Sequence, residues 1–213
     1  MEVNKGKFYR IHWFFNILRN GLLLYGIRNR MAKIGLDFDL FYWVKEADSE
    51  CEQPLIKGNP EEYSFEYIDI VEIKSIGKSR RGLPEEELLR GYQEGQICIG
   101  LRHNKDIAAY MFIELNDFNY NRKRFKLKEN EAYLLNMYTF ELHRGKNLAP
   151  YLRYLSYQLL HEMGRDTIYS ISAYFNKSTI RFKSKLNAKH QKMYLYVILF
   201  KKYHSHFLLR TYN

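Results

Sequence analysis

The stretch EAYLLNMYTFELHRGKNLAPYLRYLSYQLLHEMG, residues 131–164, decides the fold. Its first ten residues are rich in aliphatic and aromatic side chains and predict a strand. From Pro150 onward the apolar residues recur at helical spacing, and Gly164 stands where a left-handed C-cap is expected. The loop at 144–149, RGKNLA, therefore joins a strand to a helix. Because the first N–H groups of a helix have no intrahelical partner, this loop is a candidate anion site.

The loop composition alone gives modest support to that interpretation. Arg144 and Lys146 add positive charge, and the small side chain of Ala149 allows a ligand to approach closely. The loop has one glycine, Gly145, whereas phosphate-binding loops generally have more. Asn147 takes up space that a second glycine would leave open. An ordinary strand-to-helix turn is the alternative interpretation.

A second strand and helix follow the first pair. TIYSISA, residues 167–173, predicts a strand, and a short helix is predicted over 177–186. Asn176 is a good N-cap for that helix, and Asn187 fits a left-handed residue at its end. A cap explains Asn176 fully, but an alternative makes its side chain a hydrogen-bond donor to a ligand between the two crossover strands.

The rest of the chain predicts a mixed α/β domain. Residues 11–34 have the spacing of a basic amphipathic helix, and DLFYWVKEA predicts a strand. Strand signals at 96–102 and 107–115 form a hairpin, a basic excursion follows over 116–130, and a hairpin ends the chain. The polar, proline-containing segment 48–62 divides an N-terminal extension, 1–60, from a main domain, 61–213.

The composition narrows the class of partner. Lys and Arg number 34 and Asp and Glu 24, which gives a net charge of +10. That balance favours an anionic partner, either nucleic acid, an anionic membrane surface or a phosphorylated small molecule, although many enzymes are as basic without using it. Cys51 and Cys98 form no metal-binding motif. With no secretory signal and no apolar run of about 20 residues, the chain is expected to be cytoplasmic.

Residues 131–188 resemble the GNAT superfamily of acyltransferases, which use acyl-CoA. The family loop has the form Arg/Gln-x-x-Gly-x-Gly/Ala, and Arg144 and Ala149 match its first and last positions, while Asn147 replaces the central glycine. The following helix matches the family frame at Asn176, Ser178, Ile180, Phe182 and Leu186, and the segment Leu186-Asn187-Ala188 departs from it. With GYQEGQICIGLRHNKDIAAYMFIE upstream, the resemblance covers residues 63–213.

The resemblance implies a GNAT-like, mostly antiparallel central sheet with splayed central strands and flanking helices, here with an N-terminal helical extension. The strand ending MYTF would diverge from TIYSISA and open a slot for the pantetheine arm of acyl-CoA. The cofactor-binding residues that it implies are Met137, Thr139, Arg144, Gly145, Lys146, Asn147, Leu148, Ala149 and Asn176. The backbone of Met137 and Thr139 would pair with the arm, and the backbone N–H groups of the loop 144–149 would hold the pyrophosphate.

The resemblance also implies direct attack of an amine on a thioester, which needs a base and an acid. Glu131 is the candidate base, and a surface carboxylate at a strand end is the alternative. Lys183 occupies the position where the family has a Tyr that acts as the general acid, but a solvated helix lysine is the simpler interpretation. Tyr174 and Tyr194 are alternative acids. His204 and His206 share a strand face without further ligands, so no metal is expected.

The leading hypothesis is an N-acyltransferase that moves an acetyl or other acyl group from acyl-CoA to a primary amine, such as an amino sugar or another small amine. The extension and the basic segment 118–128 would shape the acceptor site. In one variant the donor is an acyl carrier protein. The alternatives are a catalytically degenerate GNAT-fold module that binds an anionic partner such as nucleic acid, and a membrane-surface protein that uses the helix 11–34.

Overall fold

A computed structural model of the chain describes residues 28, 30–33, 35–46, 51–79 and 85–212. The chain divides into two compact units. The central unit contains Lys45–Ser170 and Lys183–Lys189, and the terminal unit contains the residues up to Val44, Ile171–Phe182 and the residues from His190 onward. Most of the predicted helix 11–34 lies outside the described residues. The predicted division into 1–60 and 61–213 stays a prediction.

Most strands and helices follow the predicted order along the chain, but the helix Ile70–Ser79 and the strands Phe118–Tyr120 and Lys123–Phe125 were not predicted. The strands are β1 (Leu36–Lys45), β2 (Tyr63–Tyr67), β3 (Ile97–His103), β4 (Asp106–Glu114), β5 (Phe118–Tyr120), β6 (Lys123–Phe125), β7 (Glu131–Thr139), β8 (Thr167–Ala173), β9 (Lys189–Leu199) and β10 (Tyr203–Thr211). The helices are α1 (Ile70–Ser79), α2 (Glu85–Gln93), α3 (Leu148–Glu162) and α4 (Lys177–Lys185).

The central unit is built on a mostly antiparallel sheet. Strands β2, β3, β4 and β7 are antiparallel neighbours in that order, and β7 runs parallel to the first residues of β8. The parallel pairing runs from Glu131 opposite Thr167 to Leu134 opposite Ser170 and then ends, while β7 continues to Thr139. An early end to this pairing is what splayed central strands require, so the predicted fold class is confirmed.

Helices cover both faces of this sheet. Alternate residues of a strand point to opposite faces, and every residue of β4 from Ala108 to Ile113 is fully buried. Tyr110 and Phe112 pack with residues of α1 and α2 in one core cluster. Helix α3 contacts β3, β4 and β7. Because β4 is covered on both faces, its sequence is a continuous apolar run rather than an alternating one.

The terminal unit contains the closing hairpin and β1. Strands β9 and β10 pair in antiparallel register, and Phe200 and Lys201 in their turn both have positive φ. Phe41 of β1 stacks on Tyr194 of β9 with ring centroids 5.4 Å apart. This packing of aromatic rings from two strands gives the unit its own apolar contacts.

Helix ends carry the residues that the sequence predicted. Gly164 after α3 and Asn187 after α4 both have positive φ, of 75° and 61°. The Asn176 side chain accepts a hydrogen bond from the backbone N–H of Thr179, as an N-cap does. Among the residues that the structure describes, no helix is long and apolar enough to span a bilayer.

Candidate functional site

The loop at 144–149 connects the end of β7 to α3. Gly145 and Asn147 both have left-handed backbone conformations, with φ of 81° and 67°. The Asn147 side chain makes no capping hydrogen bond to the helix. Within the described part of the chain, the backbone N–H groups of residues 145–149 donate no hydrogen bond. Because these groups lie at the positive end of the α3 dipole, they are available to an anion.

Asn147 uses its side chain to fix the loop rather than the helix. Its Nδ2 donates a hydrogen bond of 2.7 Å to the carbonyl oxygen of Leu55. Beside it, the backbone N–H of Lys57 donates to the carbonyl oxygen of Lys146 at 2.9 Å. A β-carbon added to Gly145 would meet no atom within 4 Å. The segment 55–57 therefore holds the loop from one side, and space stays open beside Gly145.

Two cations give the loop its charge. Arg144 donates to the Thr139 carbonyl and to the Tyr138 hydroxyl, both at 3.1 Å. Lys146 donates to the Tyr63 hydroxyl, also at 3.1 Å. Burial and the neighbouring Lys146 ammonium lower the pKa of His143, which precedes the loop. Arg144 and Lys146 therefore carry the charge here, and aromatic residues hold both.

A β-bulge interrupts β7 before the loop. Phe112 pairs with Leu135 and Tyr110 pairs with Tyr138, so Asn136 and Met137 have no register partner of their own on β4. Asn136 has a φ of 50°. Because bulged residues leave the ladder, the bulge turns the strand backbone toward new partners. This feature was not predicted, and its sequence signal is one Asn inside an apolar strand.

The two β7 residues expected to pair with the pantetheine arm differ in their surroundings. Met137 is one of the bulged residues, and its Sδ lies 3.5 Å from Nη2 of Arg153. Thr139 pairs with Ala109, and its carbonyl accepts the hydrogen bond from Arg144. The backbone of Thr139 is thus partly used within the protein, whereas the backbone of Met137 stands outside the β4 ladder.

Glu131, the candidate base, is half-buried at the start of β7. Its carboxylate accepts a hydrogen bond of 3.0 Å from the backbone N–H of Lys128. The Tyr169 hydroxyl also bonds to it, and burial with the Glu131 charge raises the pKa of Tyr169. These contacts give Glu131 a structural role in the turn before β7. Its role as a base stays a prediction.

Lys183 is not the solvated lysine that its helical position suggested. Its side chain is 4% exposed, and its Nζ lies 3.4 Å from Oε1 of Glu46. Nζ also donates to the Ser170 hydroxyl, which in turn donates to the Glu46 carboxylate. Helix α4 buries its basic residue because Glu46, which follows β1, offers a buried carboxylate as partner. The sequence interpretation of Lys183 as solvated is therefore wrong.

Glu46, Lys183 and Arg153 share one buried cluster. Arg153 of α3 places Nη1 3.7 Å from Oε1 of Glu46, and the Tyr157 hydroxyl donates to Oε2 at 2.5 Å. Burial opposes ionisation of Glu46, but Arg153, Lys183 and two hydroxyl donors lower its pKa from 4.5 to about 2. Burial, with repulsion from Arg153, lowers the pKa of Lys183 to about 8. One carboxylate thus serves two cations, and Lys183 is the cation that can lose its proton.

Tyr174 and Asn176 belong to the terminal unit. The Tyr174 backbone N–H donates to the Leu40 carbonyl, and its ring contacts Tyr42 at a centroid distance of 5.7 Å. Asn176 caps α4, and its side-chain oxygen also accepts from the Ser178 hydroxyl. The roles expected of these two residues toward a ligand stay predictions.

The two histidines of β10 have aromatic partners. The Tyr196 hydroxyl lies 2.7 Å from Nδ1 of His204, and the Tyr196 ring stacks on His206 at 4.6 Å. In the described ranges, no group of three or more His, Cys, Asp and Glu side chains is arranged to hold a metal ion.

Sequence reasoning missed Glu46. It lies in the segment expected to be an N-terminal extension, at the end of an apolar strand, and no motif marks it. A carboxylate that directly follows a strand is a weak signal, because most such groups are solvated. Only the fold, which brings Glu46 into contact with Ser170, Lys183 and two side chains of α3, reveals its partners.

The fold is similar to that of several solved structures. A GNAT-family acetyltransferase from Colwellia psychrerythraea has a TM-score of 0.57 at 13% identity over 78% of this chain. The tandem GNAT protein of the clavulanic acid biosynthesis pathway gives 0.54 at 14% over 83%. The glucosamine N-acetyltransferase region of a fungal multi-domain GH3 β-N-acetylglucosaminidase gives 0.55 at 13% over 85%.

These similarities concern the fold. The chain spans 58%, 55% and 22% of the lengths of those three proteins, in the same order. No protein-family model matches the chain, and no curated protein matches its sequence.

Proposed function

We propose that this chain, which has the fold of the GNAT acetyltransferases, is an N-acyltransferase that moves an acetyl or other acyl group from acyl-CoA to a primary amine. The observation that carries the proposal is the loop at 144–149. Its backbone N–H groups have no acceptor among the described residues, and it directly follows a bulged strand. That combination supports an anion cradle beside an opened strand.

The donor would be held by backbone groups. The N–H groups of residues 145–149 hold its pyrophosphate, and Arg144 and Lys146 add charge. The bulged backbone at Met137 pairs with the pantetheine arm, and Thr139 contributes less because its carbonyl oxygen already accepts a hydrogen bond from Arg144. An acyl-CoA supplies a thioester, whose carbonyl carbon accepts an amine nitrogen and releases a thiol.

The side chains of the central unit would move two protons. Glu131 accepts a proton from the acceptor ammonium, and Lys183 gives one to the sulfur that leaves. Glu131 and Ser170, which holds Lys183, are three residues apart in the β7–β8 register, about 10 Å along the strands. At that separation Glu131 works through a bridging water.

The acceptor is proposed to be an amino sugar or another small amine that carries negative charge. The hairpin of β5 and β6 leads into β7 at Glu131; Arg122 in its turn is exposed, and so are Lys126 and Lys128 in the segment between β6 and β7. The glucosamine N-acetyltransferase region among the similar structures acts on an amino sugar, which supports this acceptor class. An acyl carrier protein as donor would also suit a chain of net charge +10.

A thiol-release screen tests the activity. The chain is incubated with acetyl-CoA and, separately, amino sugars, amino sugar phosphates, amino acids and polyamines, and free thiol is measured. We expect thiol release to depend on the amine and to be fastest with an anionic amino sugar. Tight acetyl-CoA binding without amine-dependent release from any class would contradict catalysis and favour the degenerate binding module.

A further inference from the structure

Glu46 is a fully buried carboxylate that the proposed chemistry does not otherwise use. Its side chain is 0% exposed. Four side chains from three elements converge on it: Arg153 and Tyr157 from α3, Ser170 from β8 and Lys183 from α4. Burying a carboxylate is costly unless it is paired and hydrogen-bonded, so this convergence is specific to the Glu46 position.

We propose that Glu46 is a positioning residue for acyl transfer: its carboxylate fixes the Lys183 ammonium and keeps a proton on it for the leaving sulfur of the acyl donor. The inference rests on the proposed function. The inference adds to the site a residue from outside the predicted 61–213 domain. It also explains how a buried lysine could take the place of a tyrosine as general acid.

Lys183 is the group in this cluster whose proton can move. Arg153 stays protonated at any pH that the protein experiences. Burial and the Glu46 charge raise the pKa of Tyr157 well above its ordinary value, so the hydroxyl keeps its proton as a donor to Glu46. Ser170 bridges Lys183 and Glu46 through its hydroxyl. Without the carboxylate, two buried cations would face each other, and Lys183 would give up its proton.

The cluster reaches the opened part of β7 through one side chain. Arg153 contacts Glu46 with Nη1 and the Met137 Sδ with Nη2. Met137 is the bulged residue proposed to pair with the pantetheine arm. Glu46 therefore fixes both the proton donor and a cation beside the donor-binding strand.

The proposed acyl transfer balances without a further reactant. As the C–S bond breaks, its electron pair stays on sulfur, and sulfur takes the proton from Nζ of Lys183. The neutral Lys183 amine then regains a proton from solvent. The acceptor nitrogen loses two protons to solvent, the first from its ammonium through Glu131 and the second once the C–N bond to the acyl carbon has formed. The net change is transfer of the acyl group from sulfur to nitrogen with release of one proton.

The test compares wild type with Glu46→Gln, Glu46→Asp and the control Glu94→Gln, whose target residue is exposed. Lysines carrying 13C at Cε are titrated by NMR, and Lys183→Met assigns the Lys183 signal. The pH profile of kcat is measured in parallel. In wild type we expect Lys183 to titrate at about pH 8 and kcat to fall above it.

In Glu46→Gln we expect both the Lys183 titration and the fall in kcat to move about one or more pH units toward acid, with at least about a fivefold loss of kcat at pH 8 and less at pH 6. Glu46→Asp, which keeps the charge, moves them the same way by less, and it decides the question if the Gln variant does not fold. Glu94→Gln leaves both unchanged.

A uniform loss of kcat at all pH values, with the Lys183 titration unmoved, would show a merely structural role and overturn the inference. The NMR titration needs no turnover. If wild type acylates no amine, the proposed function fails, and the titration still decides whether Glu46 controls the Lys183 proton.

Discussion

Asn147 keeps the left-handed turn that the loop needs, although it stands where the loop of the GNAT superfamily has a glycine. Asn is among the few side chains that adopt positive φ at modest cost, and its φ here is 67°. Its amide is bonded to Leu55, and it caps no helical N–H group. The sequence raised the concern that Asn147 would fill the cradle, and its side chain is instead committed to the neighbouring segment 55–57.

Glu46 should make the stability of the protein depend on pH in the acid range. Its pKa falls from 4.5 to about 2 in the folded state, so the folded form binds fewer protons than the unfolded form in that range. This stabilisation is fully present above about pH 5 and is lost as pH falls through 2, which amounts to about 3 kcal/mol. Lys183, with its pKa lowered from 10.5 to about 8, makes stability rise with pH between those values.

Urea unfolding of wild type and Glu46→Gln at pH 7, 5 and 3 checks this prediction. At pH 7 we expect the variant to lose about 3–5 kcal/mol, because two buried cations lose their carboxylate. The difference should shrink at pH 3. The control Glu141→Gln removes an exposed ion pair with Arg144 and should change stability by less than about 1 kcal/mol. An unchanged difference at pH 3 would contradict the pKa assignment.

The hairpin of β5 and β6 is an element held firmly at its base. Phe118 stacks on Tyr133 of β7 with ring centroids 4.0 Å apart, and it also stacks on Phe125 at 5.4 Å. Asn121 and Arg122 in its turn both have positive φ, as a tight two-residue turn requires. Because aromatic packing anchors the base on β7, the hairpin holds its basic tip in a fixed place.

Charge removal on this hairpin tests the acceptor proposal. In the double variant Arg122→Gln with Lys126→Gln, both targets are exposed, so stability should change little. We expect KM for an anionic amine to rise about three- to tenfold, with KM for acetyl-CoA unchanged. Lys201→Gln with Lys202→Gln, in the turn between β9 and β10, is the matched control. Equal effects of the two pairs would mean that net charge alone matters.

Along the whole chain, local patterns predicted most of the strands and helices but not the side-chain partners between them. Pro150, Gly164 and Asn187 mark helix ends through backbone preferences that act within a few residues, so these boundaries were readable. Glu46 and Lys183 lie 137 positions apart in the sequence numbering, and no local rule joins them. The bulge at Asn136 depends on register with β4, which a single strand does not reveal.

The order of elements also carried more information than any one motif. A loop with one glycine is weak evidence for phosphate binding, and Asn147 weakens it further. A strand before the loop, a helix after it and a capped second helix downstream made the fold predictable. The donor site remains the part of the proposal that depends most on the loop itself.

Calorimetric titration of acetyl-CoA into wild type and Ala149→Glu tests that dependence directly. A carboxylate at the first turn of α3 is compatible with the helix dipole, so the variant should fold, yet it repels a pyrophosphate. His161→Glu adds the same charge at the far end of α3 as a control. We expect binding by wild type and by His161→Glu, and a loss of at least about tenfold in affinity in Ala149→Glu. Equal binding by all three proteins, or none by wild type, would contradict the assignment of the loop as the acyl-CoA site.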